Sequence, residues 1–168
     1  MIFVSVGTHE APFDRMLQTV FDLGLGVDED LVVQYGPSTF RSDSASVQVE
    51  YLSFDDVVGY IRQARAVVMH AGVGSVMISL ANGKRPIVMA RRFEFAEHVD
   101  DHQVELARRM DANGLATFVD DAETLRAALT GAEQSPGRMS GAPWLGEDLG
   151  RYLAEQLGTP RSSPAPAI

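Results

Sequence analysis

The sequence predicts an α/β fold, a Rossmann-like parallel sheet of about six strands with helices on both faces. Short apolar runs alternate with amphipathic segments of helical length along the first 130 residues. Strands that alternate with helices pair in parallel through right-handed crossovers, which cover both faces of the sheet. Because 168 residues with 45% apolar content can bury one core, a single domain is expected.

Six apolar or alternating runs predict the strands. They cover residues 2–6, 31–36, 47–51, 66–69, 87–89 and 115–119. The first run is expected to be buried, the run at 66–69 is expected to lie centrally, and the run at 47–51 alternates between apolar and polar residues.

Five segments predict the helices. They cover residues 12–24 or 12–26, 53–62, 76–82, 98–112 and 121–129. The first begins at a proline, whose fixed φ suits a helix start, and its apolar residues recur at helical spacing. Ser53 or Asp55 can cap the second helix. The fourth is expected to turn Val99, Leu106 and Met110 inward.

The pattern decays after residue 130, where glycine, serine and proline become frequent. Residues 1–130 form the predicted domain, and residues 131–158 an extension with a helix at 144–157. Residues 159–168 are predicted to be a disordered tail.

Composition excludes several classes of function. The net charge of −9 argues against a nucleic-acid ligand, because phosphate neutralisation needs clustered lysine and arginine. The absence of cysteine excludes disulfides, thiolate metal sites and cysteine nucleophiles. No apolar run approaches the roughly 20 residues that are needed to cross a bilayer. We therefore expect a cytoplasmic protein that reaches any membrane through a partner.

Three segments that follow strands carry polar residues, and the first two also carry glycines. These are residues 7–10, 70–75 and 91–103. Because the carboxyl ends of parallel strands share one edge of the sheet, the three segments are expected to meet there. In the second, a strand runs into a glycine turn and a helix start, which leaves backbone N–H groups where the helix dipole favours an anion. Glycines in such a turn can also serve only to let backbones pack closely.

These segments, together with residues 83–88, resemble the C-terminal, nucleotide-sugar-binding half of family 28 glycosyltransferases, which have the GT-B fold. More narrowly, they resemble its single-domain members. These are the PssE/EpsF-type subunits of bacterial exopolysaccharide synthesis and the eukaryotic catalytic subunit that adds the second N-acetylglucosamine to the dolichol-linked precursor. Residues 4–15 match the N-terminal signature of the same group, and the resemblance covers about residues 1–130.

The resemblance implies an inverting transfer of a sugar from a UDP donor, without a required metal or another cofactor. Fixed N–H dipoles would stabilise the negative charge that builds on the leaving UDP. The residues implied for the donor phosphates are Gly7, Thr8, His70, Gly72, Gly74 and Ser75. Those implied for the donor sugar are Asp101, His102, Gln103 and Arg91. His9 is a candidate catalytic residue, which could position or deprotonate the acceptor.

The resemblance also implies half of an enzyme. GT-B transferases bind the acceptor in an N-terminal domain, and in the single-domain relatives a separate membrane-anchored protein supplies that half. We therefore expect a PssD-like partner that brings a polyprenyl-linked acceptor, at the inner face of the membrane, and the general base can lie on that partner or at His9. The isolated chain is expected to self-associate.

Two other functions stay open. Many related enzymes carry a glutamate that holds the ribose at the position of Ile78, and this departure favours a non-catalytic nucleotide-sugar-binding or regulatory subunit. A dinucleotide-binding sheet ranks last, because the first strand is not followed by a G-x-G-x-x-G motif.

Purely structural roles compete with the functional ones. His70 can be a turn histidine, and Arg91 and Arg92 can be solvated loop charges. His98 and His102 are four residues apart, yet the glutamate of an H-E-x-x-H motif and a third ligand are missing. The sequence therefore predicts no metal site.

Overall fold

Six parallel strands form one sheet in the computed structural model, which describes residues 1–132 of the chain. The strands are β1 (Ile2–Ser5), β2 (Leu31–Gln34), β3 (Val47–Val49), β4 (Ala66–His70), β5 (Ile87–Met89) and β6 (Thr117–Phe118). Their order across the sheet is β3-β2-β1-β4-β5-β6, and every neighbouring pair is parallel. The predicted fold class is confirmed, and all six predicted strands are present.

Helices cover both faces of this sheet. They are α1 (Asp14–Asp22), α2 (Phe54–Gln63), α3 (Val73–Ala81), α4 (His102–Ala112) and α5 (Ala122–Ala132). Side chains of α1 and α5 form one core with Ile2 and Val4 of β1, whereas Phe3 points the other way and stacks on Tyr60 of α2. Among the described helices, none is long and apolar enough to cross a membrane.

The chain order reverses between β1 and β4. β1 pairs with β2 on one side and with β4 on the other, so the connections that follow these two strands leave in opposite directions. The carboxyl ends of the two strands, at Ser5 and His70, therefore flank a crevice of the kind in which parallel sheets bind ligands. The predicted segments at residues 7–10 and 70–75 both begin at this crevice.

Helix α4 begins at His102, four residues later than the sequence pattern predicts. Val99 therefore lies outside the helix, and its predicted inward position is wrong, because it is 78% exposed. Leu106 and Met110, which follow the helix start, are buried as predicted.

Hydrogen bonds within the segment after β5 explain why α4 does not begin at residue 98. Asp101 Oδ1 accepts the backbone N–H of Phe93 (2.9 Å), and Glu97 Oε2 accepts that of Arg92 (3.0 Å). Ala96 adopts a left-handed φ of +54° between these contacts. The side chains thus satisfy backbone groups locally and hold the segment in turns instead of a helix.

The other element ends lie close to their predicted positions. Ser53, not Asp55, caps α2, and its Oγ accepts the N–H of Asp56 (3.2 Å). Helix α3 begins three residues earlier than predicted, which places Gly74 and Ser75 in its first turn. The predicted C-terminal helix at 144–157 and the tail at 159–168 lie outside the described residues.

Substitution of Val99 by aspartate tests its exposed position. We expect the free energy of unfolding to change by less than about 0.5 kcal/mol, as for most surface substitutions. Val104 is the matched control, because it is 9% exposed in the first turn of α4. There an unpaired carboxyl group would be buried, at a cost of more than about 2 kcal/mol. Urea unfolding measures both variants, and equal losses would contradict the exposed position of Val99.

Candidate functional site

The ring of His70 packs between the loops that follow β1 and β4, and two glycines make room for it. Its Nδ1 accepts the N–H of Gly72 (3.1 Å), and its Nε2 lies 3.0 Å from Ser75 Oγ. A Cβ atom on Gly7 would stand 2.4 Å from Nε2, and one on Gly72 would stand 2.3 Å from Cε1. Gly7 also has a φ of +80°, which side chains disfavour. The ring therefore requires glycine at both positions.

Hydrogen bonding and enclosure keep His70 neutral. Since Nδ1 accepts a backbone N–H, we assign the proton of the neutral ring to Nε2, which donates to Ser75. Removal of the ring from water, together with the charges of Arg91 and His9, lowers the pKa of His70 to about 4. Both ring nitrogens are thus bonded within the protein and position the turn, and the contact of His70 with a donor phosphate stays a prediction.

The N-terminus of α3 lacks the groups that usually cap a helix. Its N-cap is Gly72, and its first turn contains no acidic residue. Each of the other four described helices carries an acidic residue in its first turn. The N–H groups of Val73, Gly74 and Ser75 have no partner within the helix, because the first turn of an α-helix leaves them unpaired. Their partial positive charge lies at the crevice.

Open space lies beside this helix end. Gly74 is exposed, and a Cβ atom there would have no other atom within 4 Å. Thr8, which follows β1, is also exposed, whereas the N–H of Gly7 is donated to Ser5 Oγ (3.2 Å). Gly7 therefore contributes room for His70 and not a hydrogen bond. The helix end itself can take an anion such as a phosphate group.

Arg91 is fully buried and holds the loop after β1. Its Nη2 donates to Val6 O (3.0 Å), its Nη1 donates to Ala11 O (2.8 Å), and its guanidinium lies 4.7 Å from the centre of the Phe13 ring. Burial lowers the pKa of Arg91 to about 10, against the opposing charge of Glu97, so the group stays charged at neutral pH. The predicted contact with a donor sugar is wrong for this enclosed side chain, and so is the alternative of a solvated charge.

Sequence patterns do not reveal the ion pair between Arg15 and Glu97. Arg15 Nε donates to Glu97 Oε1 (3.0 Å), and Arg15 Nη2 donates to Oε2 (2.8 Å) and to Ala90 O (2.7 Å). Glu97 is only 4% exposed, so the bidentate pair is largely withdrawn from water. It joins the start of α1 to the segment after β5. Both residues lie in the motifs noted above, but no local pattern pairs residues 82 positions apart.

The segment after β5 meets the segment after β1 through its histidines. Asp101 and His102 are exposed at the start of α4, whereas Gln103 is buried, and its Oε1 accepts a backbone N–H beyond β5 (3.4 Å). The ring centre of His102 lies 4.7 Å from that of His98, which lies 5.1 Å from that of His9. The structure therefore brings together side chains that the sequence placed at one edge of the sheet.

Comparison with known proteins gives one family and several relatives. Residues 1–140 match the model of the glycosyltransferase family 28 C-terminal domain. A UDP-N-acetylglucosamine transferase subunit ALG13 from Yarrowia lipolytica is 38% identical over 56 residues, which are 33% of this chain and 26% of the relative. The proteins of the same name from Mus musculus and Homo sapiens are 32% and 30% identical over 124 and 127 residues. Each alignment covers 67% of this chain but 10% of the relative, so the chain spans a small part of these proteins.

Solved structures of glycosyltransferases share the fold. The glycosyltransferase of kitacinnamycin superposes with a TM-score of 0.61 at 21% identity, over 80% of this chain and 35% of that protein. The calicheamicin glycosyltransferase CalG4 gives 0.53 at 14% identity, over 94% and 44%. At these identities the likeness concerns the fold.

Substitution of Gly7 by alanine tests the packing of His70. Gly114 is the matched control, because its φ of +70° is similar but a Cβ atom there would meet nothing within 4 Å. We expect Gly114→Ala to cost about 1 to 2 kcal/mol of unfolding free energy from backbone strain alone. Gly7→Ala should cost at least about 1 kcal/mol more, because the ring must also move. Equal losses in urea unfolding would contradict the packing.

The depressed pKa of His70 predicts a loss of stability in mild acid. Unfolded His70 takes up a proton near pH 6.5 and folded His70 only near pH 4, so the unfolded state binds more protons between these values. The stabilisation is complete above pH 6.5 and falls by up to about 3 kcal/mol as the pH drops to 4. Urea unfolding of the wild type and of His70→Asn across this range isolates the effect.

An NMR titration of the His70 ring in the intact fold provides the second measurement. It stays informative even if the asparagine variant does not fold. A midpoint near 6.5 would contradict the enclosed, neutral ring.

Proposed function

The chain belongs to the glycosyltransferase family 28 C-terminal domain family, and we propose that it is the donor-binding catalytic subunit of an inverting UDP-sugar glycosyltransferase. The observation that carries this proposal is the uncapped N-terminus of α3 at the crevice between β1 and β4. There the unpaired N–H groups and the helix dipole suit the diphosphate of a nucleotide sugar. The same dipoles would stabilise the negative charge on the leaving UDP, so the proposed transfer requires no metal.

The donor sugar is proposed to lie over the start of α4. Asp101 and His102 are exposed there, and a carboxylate and an imidazole can hydrogen-bond to sugar hydroxyls. Asp101 Oδ1 accepts the N–H of Phe93, which orients the carboxylate for a hydroxyl at its other oxygen. Buried Gln103 holds the backbone N–H of Arg91 beside this position, and exposed Thr8 is proposed to donate to the phosphates.

His9 is proposed to donate a hydrogen bond to the acceptor or to the donor phosphates. Its Nδ1 accepts the N–H of Ala11 (3.0 Å), which places the proton of the neutral ring on Nε2. Burial and the charges of Arg91 and His98 lower the pKa of His9, whereas Glu10 opposes this shift. A neutral ring in this state cannot take a proton at Nε2. The general base is therefore proposed to lie on the partner.

The partner is proposed to be a membrane-anchored, PssD-like subunit that carries the acceptor half. The relatives are named as subunits of a transferase, which supports a divided enzyme. Exposed apolar side chains lie beside the proposed sugar position: Phe93 is 63% exposed, Phe95 53% and Val99 78%. Such a patch fits a protein surface that is covered in an assembly, and self-association is proposed when the partner is absent.

The proposed reaction is transfer to a polyprenyl-linked acceptor in exopolysaccharide or related glycan synthesis. In this assembly the chain would work in the cytoplasm, at the inner face of the membrane. The acceptor and the location are both proposed because the sequence resembles the single-domain members of the family.

A non-catalytic nucleotide-sugar-binding subunit is the second candidate, because Ile78 on α3 offers no oxygen to a ribose hydroxyl. Transfer assays on the chain mixed with an acceptor-domain partner separate the two functions. Transfer from a UDP-sugar supports the catalytic subunit, whereas donor binding without transfer or hydrolysis supports the regulatory one.

Substitution of Gly74 by glutamate tests the phosphate site. A carboxylate in the first turn favours the helix dipole, so the fold should be as stable as the wild type or slightly more so. Beside a diphosphate, however, two like charges at ~5 Å repel by about 3 kcal/mol at an effective dielectric constant of about 20. Calorimetric titration should therefore show UDP affinity reduced at least about ten-fold relative to the wild type.

Gly74→Gln is the matched control, because it has the same shape without the charge. We expect a smaller loss of affinity than in Gly74→Glu. Equal UDP affinity in the wild type and Gly74→Glu, or no UDP binding by the wild type, would contradict the proposed site.

A further inference from the structure

Three side chains of the segment before α4 converge on one point. His98 Nδ1 lies 3.2 Å from Asp100 Oδ1, and His102 Nδ1 contacts the same oxygen. Each of the three side chains offers one ligand atom within 4.8 Å of those of the other two. The two imidazoles and the carboxylate thus have the composition and spacing of a metal-ligand set.

One ring nitrogen of this cluster has no hydrogen-bond partner among the described residues. The Nδ1 atom of His98 is buried and makes no hydrogen bond of acceptable geometry, although Asp100 Oδ1 lies 3.2 Å away. A buried nitrogen without a partner costs free energy unless another group, such as a metal ion, takes up its lone pair. The centre of the His9 ring lies 5.1 Å from that of the His98 ring, so His9 borders the cluster on one side.

The turn before α4 supplies the third ligand that the sequence did not reveal. An H-E-x-x-H motif requires both histidines on one helix, and here only His102 belongs to α4. Because His98 and Asp100 precede the helix, the chain turns back and brings the carboxylate between the two rings. Asp100 Oδ1 also accepts the backbone N–H of His102 (3.2 Å), which holds this turn at the helix start.

We propose that His98, Asp100 and His102 bind a divalent transition-metal ion of the zinc type. Imidazole nitrogens favour zinc, cobalt or nickel over magnesium and calcium, which prefer oxygen ligands throughout. Asp100 and His102 line an open groove of about 660 Å³, so an ion reaches them from solvent. Three protein ligands leave a coordination position for water.

The bound ion would join the segment after β5 to the start of α4. It takes no part in the proposed sugar transfer, and the metal proposal does not rest on the proposed function. His102 belongs to both sets, however, so an ion and a donor sugar would compete for its ring, whereas UDP alone would not compete.

Calorimetric titration of the untagged, metal-free chain with zinc chloride tests the proposal. The sequence has no cysteine, and its other two histidines are His70, whose ring nitrogens are both bonded within the protein, and His9, whose Nδ1 accepts the N–H of Ala11. We expect one zinc ion per chain, with at least about ten-fold weaker binding in His102→Ala and Asp100→Asn. Since both side chains are about half exposed, these variants should fold. His98→Ala should show the same loss.

Asp101→Asn is the matched control. The carboxylate of Asp101 is next in sequence to Asp100 but lies outside the cluster, and asparagine can still accept the N–H of Phe93. It should bind zinc as the wild type does. Zinc should also raise the Tm of the wild type and of Asp101→Asn but not that of His102→Ala. Absence of binding, or equal binding by the wild type and His102→Ala, would overturn the proposal. Neither result would affect the donor site, which is measured with UDP in metal-free buffer.

Discussion

The packing of one imidazole ring at the carboxyl ends of two strands determines the geometry of the candidate site. His70 occupies the space that side chains at Gly7 and Gly72 would fill, and its bonds to Gly72 and Ser75 orient the turn into α3. The packing of His70 therefore requires glycine at those two positions, whichever ligand binds. Gly74 has no such reason, because nothing lies near its absent side chain. The proposed phosphate site therefore depends on the open helix end more than on the glycine-rich motif.

One buried charge acts on the histidines at the crevice. The chain carries a net charge of −9, yet Arg91 is enclosed behind the crevice, and its charge lowers the pKa of both His9 and His70. A diphosphate bound at the same edge would also be attracted by this charge. The Arg15–Glu97 pair fixes the segment after β5 against α1 at the same time. Positioning and electrostatics are thus supplied by side chains that need not touch a ligand.

Local sequence patterns did not predict the structure of the segment after β5. Apolar spacing predicted every strand, because the apolar residues of a strand follow one another or alternate along the chain. The same spacing extended α4 back over Val99, since it contains no information on the contacts of Asp101 and Glu97 with the backbone of residues 92–93. Those contacts form only once the segment folds back on itself. They also create the cluster around Asp100, which a helical start would have dispersed.

The sequence by itself determined the α/β class, the positions of the strands and the fact that three polar segments share one edge of the sheet. Each of these follows from periodicity and from the rule that parallel strands end on the same side. Only the tertiary structure decided which of those polar side chains face solvent. Arg91 is buried among carbonyl groups of a loop that lies about 80 residues earlier, and Arg15 meets Glu97 over a similar distance. The direction of a side chain depends on partners far along the chain, and no local pattern contains them.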